Sequence, residues 1–268
     1  MNKQVRPDAP PASTKEAVIS VRGLENRFGD HVVHQNLDLD VWRSEVLGIV
    51  GGSGTGKSVL LRSIIGLQPP SKGQITAFGM DVLNGPEADR IAASKRWGVA
   101  FQDGALFSSL SVVENVMAPM REHLTISTGL MRELAELKIS LVGLPQNSCA
   151  KLPAELSGGM RKRAALARAL ALDPEIVFLD EPTAGLDPIG AAKYDELVRE
   201  LQSVLGLTVF MVTHDLDSLY AICDRIAVLS DKRVLVEGSI ASMLDVDDPW
   251  VQEYFTGPRA RAAQATLD

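Results

Sequence analysis

A chain of 268 residues that is 46% hydrophobic can build one large domain or two small ones around a well-filled core. Its net charge of -7 argues against a broad nucleic-acid footprint, and no run approaches the ~18 apolar residues of a membrane span. The two cysteines, Cys149 and Cys223, have no metal spacing and fit reduced thiols used for packing.

In chain order, residues 1–16 carry Pro7, Pro10 and Pro11 without an apolar segment, which predicts a flexible tail and no secretory signal. From Val18 to Val41 apolar and polar residues alternate as in antiparallel strands, and Gln74 to Phe78 repeats the pattern. Between them, the apolar run Val46 to Val50 leads into Gly51-Gly52-Ser53-Gly54-Thr55-Gly56-Lys57-Ser58 and then the helix-forming Val59 to Ile65. Trp97 to Phe101 reads as a buried strand ending at Gln102. Helical spacing takes over from Ser111 to about Ala171, with Leu130, Leu134, Leu137 and Leu141 on one face. Ile176 to Leu179 and Leu207 to Val212 are again continuous apolar strands, separated by a helix. Arg225 to Leu229 and Arg233 to Glu237 predict a hairpin turning at Asp231-Lys232. The expected fold is α/β: a mainly parallel sheet with crossover helices around a phosphate loop, an antiparallel β edge and an inserted helical subdomain at about 103–171. One domain would span 17–256, with a second tail at 257–268.

The run GGSGTGKS fits a phosphate-binding loop in the context that loop requires, a strand before it and a helix after it. Its four glycines let successive N–H groups converge on one anion at a helix N-terminus. Lys57 can reach the outer phosphates, and the Ser58 hydroxyl can ligate Mg²⁺. Asp180 and Glu181 close the next apolar strand, and phosphoryl transfer needs one carboxylate near the ion and one near the attacking water. Lys57, Gln102, Asp180 and His214 all follow strand ends, where ligands of parallel sheets bind. Ser157 suits an N-cap, and Gly158-Gly159 after it offer a second anion-binding helix start. The basic cluster Arg161-Lys162-Arg163 reads as a solvated helix face.

Leu156-Ser157-Gly158-Gly159-Met160, Gln102 in FQDGALF, FLDEPTAGLD from Phe178 to Asp187, and His214 in VTHD resemble the ATP-binding cassette ATPases. The resemblance covers about Val18 to Phe255 and implies ATP and Mg²⁺ as ligands. Phe28 would stack on adenine, residues 51–59 from Gly51 to Val59 would hold the phosphates, and Ser58, Gln102 and, through water, Asp180 would hold the ion. Glu181, His214 and Gln102 would be the catalytic set, with His214 on the γ-phosphate. The segment Leu156 to Met160, with Asp187, would complete the phosphate loop of a second subunit, so a homodimer with two shared sites is expected. Met160 stands where the family usually has Gln. The words from Phe101 to His123 and the LSGGM helix most resemble the ATPases of MCE-domain phospholipid transporters. That branch implies a peripheral place on the cytoplasmic face of the inner membrane. Its partners would be an integral permease, an MCE-domain lipid-binding protein and, in many cases, a small STAS-domain subunit. Leu106, Phe107, Leu110, Val112 and Val113 would receive the permease's coupling helix. An importer ATPase for a small solute and a soluble ATPase acting on ribosomes or DNA are the alternatives.

Overall fold

The computed structural model describes residues 16–257. The tails expected at 1–16 and 257–268 therefore lie outside the described residues, apart from Glu16 and Gly257.

The antiparallel strands expected near the start form β1 (Ala17–Phe28) and β2 (His31–Trp42), joined by β4 (Lys72–Ala77) and the short β5 (Met80–Asp81). They make a sheet of their own, in the order β2-β1-β4-β5, beside the main one. The main sheet contains β3 (Val46–Gly51), β6 (Trp97–Ala100), β7 (Ile176–Asp180), β8 (Thr208–Val212), β9 (Arg225–Ser230) and β10 (Arg233–Gly238), in the order β10-β9-β3-β8-β7-β6. All its neighbours run parallel except β10, which returns antiparallel along β9. Every residue of β7 and β8 is buried, which is why these strands read as unbroken apolar runs and do not alternate. Trp97 to Phe101, expected to be fully buried, supplies the edge strand β6 and alternates between half-buried and buried. Asp231 and Lys232 both adopt left-handed φ, 47° and 66°, as a two-residue hairpin turn demands.

Helices cover the sheet. α1 (Lys57–Ile64), α2 (Glu87–Ser94), α6 (Pro188–Leu205), α7 (Leu216–Ile222), α8 (Ile240–Met243) and α9 (Pro249–Thr256) accompany the strands. Between β6 and β7 come α3 (Val112–His123), α4 (Thr128–Leu141) and α5 (Gly158–Ala169), the helical insertion that the sequence predicted. Ser111 opens α3 with a capping box, its hydroxyl taking the Glu114 N–H while the Glu114 carboxylate accepts from Ser111 N–H at 2.8 Å. One apolar cluster joins these helices to the sheet through Ala100, Val177, Leu179 and Met211. A second, with the Phe178 and Phe210 rings 5.4 Å apart, fills the space between the two sheets. Burying one such ring contributes roughly 1.5–3 kcal/mol, so a handful of them anchors the sheet on which the site stands.

Two expectations about the insertion change. On α4 the buried residues are Met131, Ala135, Lys138 and Ile139, whereas Leu130, Leu137 and Leu141 are exposed and Leu134 is half-buried. The leucines do share a face, but the narrower stripe beside it meets the core. Of the residues expected to receive a coupling helix, Val112 and Val113 are fully enclosed in the same core, Leu106 and Leu110 are half-buried, and Phe107 is 55% exposed.

Candidate nucleotide site

β3 delivers Gly51 to the C-terminal edge of the main sheet, where the chain must turn tightly into α1. Glycine is required at Gly51 (φ 153°), because a Cβ there would fall 2.4 Å from the Leu229 carbonyl oxygen. It is required again at Gly56 (φ 95°), the N-cap of α1, whose Cβ would fall 2.4 Å from the His34 ring nitrogen Nε2. No side chain caps α1, so its first N–H groups remain open to an anion. Ser53 and Gly54 are exposed at the tip, and Val59 is half-buried in the first turn of the helix. The Lys57 ammonium folds back onto the Gly51 and Gly52 carbonyl oxygens at 2.8 and 3.0 Å. Burial lowers its pKa, against the pull of Glu181 and Asp180, so a phosphate arriving there meets a cation short of solvent.

The carboxylates come from the neighbouring strand. Parallel register sets Asp180 beside Val212, which brings Glu181 level with the turn after β8 that carries His214. The Ser58 hydroxyl donates to Asp180 Oδ1 at 3.2 Å, and burial raises the Asp180 pKa. Glu181 has φ 49°, left-handed for a non-glycine residue, and its N–H is held by the Val212 carbonyl at 2.8 Å. His214 Nδ1 lies 2.8 Å from Glu181 Oε2. Gln102 is exposed in the turn after β6, and Phe28, 45% exposed, ends β1 with its ring open to solvent.

The helix start expected at Ser157 is also formed. Ser157 caps α5, its hydroxyl accepting the Met160 N–H at 3.3 Å, while Leu156 is buried beneath it. A Cβ at Gly158 would meet nothing within 4 Å, so this helix end is uncovered within one chain. Met160 is half-buried against the helical core. Asp187 is exposed and spends one carboxylate oxygen on capping α6, accepting from Gly190 N–H at 2.9 Å.

The family of ABC transporters matches residues 34–184. The chain belongs to the ABC transporter ATPases. It is 38% identical, over 90% of both chains, to the intermembrane phospholipid transport system ATP-binding protein MlaF of Haemophilus influenzae. It is also 38% identical to a probable ribonucleotide transport ATP-binding protein of Mycobacterium leprae, over 90% of this chain and 69% of that one. A solved dimeric post-hydrolysis state of the ATP-binding cassette MJ0796 with ADP and Pi superposes with a TM-score of 0.75 at 28% identity, over 82% of this chain and 98% of that one. The Clostridium perfringens cassette cbiO1 superposes with a TM-score of 0.77 at 27% identity, over 95% and 100%.

The ATPase has further residues at this site that its motifs did not announce. Lys162 is no part of a solvated face: it is buried, and its ammonium donates to the Glu181 carbonyl at 2.8 Å. Arg163, its neighbour, donates to the Val142 carbonyl at 2.7 Å. Beneath the phosphate loop His34 is fully buried, with Nδ1 2.9 Å from Asn26 Oδ1, and the Asn26 amide donates to Ser63 Oγ at 2.9 Å. Since Asn26 offers its oxygen to the ring, Nδ1 carries the proton, and Nε2 faces Gly56 and the Thr55 backbone without a well-formed hydrogen bond. Burial lowers this imidazole to about 4, offset only in part by the Thr55 backbone. Behind Glu181, Thr183, Ser218, Asp215 and Asp195 form a buried polar knot, with Ser218 Oγ donating to Asp195 Oδ2 at 2.7 Å. A histidine in a strand and an aspartate in a helix gave no sequence signal for these roles.

Proposed function

We propose that this ATPase is the energy-coupling subunit of a transporter that moves phospholipid between the membranes of a bacterial envelope. The observation that carries this reading is the 38% identity to a phospholipid-system ATPase across 90% of both chains. The ribonucleotide-transport relative is equally identical, but the chain spans only 69% of it, which makes ribonucleotide transport the second reading.

ATP would lie with its adenine on Phe28 and its phosphates over residues 51–59, Lys57 swinging from the Gly51 and Gly52 carbonyls to the outer phosphates. Mg²⁺ fits the oxygen-only pair of Ser58 Oγ and Asp180, the latter through water; when bound it neutralises phosphate charge. Glu181 accepts the proton of the attacking water, His214 holds the γ-phosphate and Gln102 orients the water. The uncovered helix start at Ser157 would meet the nucleotide of a second copy, with Asp187 at the seam, so two ATPs would join a homodimer and hydrolysis would release it. Met160 contributes no polar contact there, which would leave the Ser157 hydroxyl and the α5 N–H groups to bind the phosphate.

Among the described residues no helix is long and apolar enough to cross a membrane, which fits a peripheral subunit on the cytoplasmic face of an inner-membrane permease. An MCE-domain lipid-binding protein and a small STAS-domain subunit would complete the assembly. Affinity purification of the tagged ATPase from detergent-solubilised membranes tests this. Recovery of a permease with an MCE-domain protein and bound phospholipid is expected. Recovery with a soluble solute-binding protein, or with no membrane protein, would overturn the proposal.

A further inference from the structure

The helix α9 does not stand apart from the nucleotide site. Asp248 caps it by accepting the N–H groups of Trp250 and Val251 at 2.9 and 3.0 Å, and Pro249 suits its first position. Its buried side, Val251 and Phe255, joins an apolar cluster with Val50, Ile226, Val228 and Leu219. Val50 is the residue before the phosphate loop, and Leu219 lies in α7, which starts two residues after His214. The helix is thereby packed on the supports of both catalytic loops.

Its half-buried side reaches the loops themselves. The Tyr254 hydroxyl donates to the His214 carbonyl oxygen at 3.0 Å. Trp250 stacks on Tyr254, with ring centroids 4.7 Å apart and planes 14° from parallel. The Trp250 indole nitrogen lies 3.7 Å from where a Cβ on Gly52 would stand, so the stacked pair is wedged between the phosphate loop and the histidine turn. Tyr254 also meets the Phe255 ring edge to face, centroids 5.0 Å apart and planes at 79°.

We infer that Tyr254 is a positioning residue for ATP hydrolysis: its hydroxyl fixes the backbone of His214, and Trp250 holds the phenol in place against the phosphate loop. The inference rests on the reading of His214 as the γ-phosphate ligand. The His214 carbonyl belongs to a turn that no sheet ladder secures, and the imidazole direction follows that turn's backbone. A hydrogen bond there costs nothing in nucleotide binding, since Tyr254 is directed at the protein backbone. Its loss should appear in the chemical step, where a small displacement of a phosphate ligand is amplified.

The test is steady-state hydrolysis by the full-length ATPase across a range of MgATP, with equilibrium ATP binding and thermal melting beside it. Tyr254→Phe keeps both ring contacts and removes only the hydroxyl. It is expected to lower kcat about three- to ten-fold, the range of one hydrogen bond, with KM, ATP affinity and melting temperature close to wild type. Trp250→Ala, which frees the phenol, should lower kcat in the same direction. Placed on His214→Ala, Tyr254→Phe should cause no further loss, since the group it positions is gone. Unchanged kcat in Tyr254→Phe, or a loss that simply multiplies with that of His214→Ala, would overturn the inference. Wild-type turnover in His214→Ala would instead remove the role of His214 itself, and is read separately because Tyr254→Phe leaves the imidazole intact.

Discussion

His214 Nδ1 and Glu181 Oε2 stand 2.8 Å apart at the ends of two parallel strands, so the group proposed to accept a proton and the group proposed to hold the phosphate are in direct contact. Glu181 is held by its backbone from both sides, by the Val212 carbonyl and by the Lys162 ammonium, in a left-handed conformation that a free chain would leave. The site is therefore pre-shaped, and single substitutions can be matched to single functions.

Glu181→Gln should abolish turnover by a factor on the order of 10²–10⁴, the contribution of a positioned general base. ATP affinity should survive, because the amide preserves shape and no phosphate contact depends on the charge. Size-exclusion chromatography with ATP should then trap a dimer; near-normal turnover in this variant would remove Glu181 from its role.

Lys57→Ala should weaken ATP binding roughly ten- to a hundred-fold, the range for losing a charge-assisted hydrogen bond in a partly buried place. Titration with a fluorescent ATP analogue measures this directly. Affinity equal to wild type would refute the loop assignment.

Acid should loosen the phosphate loop through His34. The folded imidazole titrates at about 4 and the free side chain at 6.5, so between those values the unfolded chain binds the proton that the native state refuses. Stability from this group is complete above pH 6.5 and drains as pH falls towards 4, by about 3 kcal/mol in all. His34→Leu, whose constant cost is an unpaired Asn26 oxygen, should lack this component. The denaturant midpoint of the variant should fall less than that of wild type between pH 7 and 5.

Asp195 titrates in the opposite sense. Burial raises its carboxyl from 3.8 to about 7, aided by the charges of Asp215 and Asp217. The native state holds a proton that the unfolded chain has released, and stability is lost as pH rises through that window. Asp195→Asn retains the acceptor for Ser218 without the charge. Its melting temperature should exceed that of wild type at pH 8, with the gap closing towards pH 5; equal curves at both pH values would show that Asp195 is not strained.

Much of this could be read from the chain because the physics is local. A buried parallel strand is apolar throughout, so Val46 to Val50, Ile176 to Leu179 and Leu207 to Val212 announced the sheet, and the residues just beyond them are gathered at its C-terminal edge. The hairpin at Asp231-Lys232 was legible for the same reason. What escaped were contacts made between distant segments by residues whose local context is ordinary. Lys162 sits between two arginines and looks solvated until the fold brings Glu181 above it. The α4 leucines were the most apolar set on their helix, yet burial followed the stripe through Met131, Ala135 and Ile139, the one that faces the apolar cluster shared with α3 and α5. His34, Asn26 and Ser63 come from three elements, and no periodicity links them.

The close approach of His34 to Gly56 also constrains how such chains can drift. A side chain cannot appear at residue 56 while an imidazole occupies residue 34, and the left-handed backbone at 56 adds its own veto. Val33 Cγ1 stands equally close, so substitution would have to begin at 33 and 34, on a strand of the other sheet. Among descendants of this chain, variation in the glycine-rich turn should be inherited together with changes in that remote strand, and the turn should look more invariant than phosphate chemistry alone would demand.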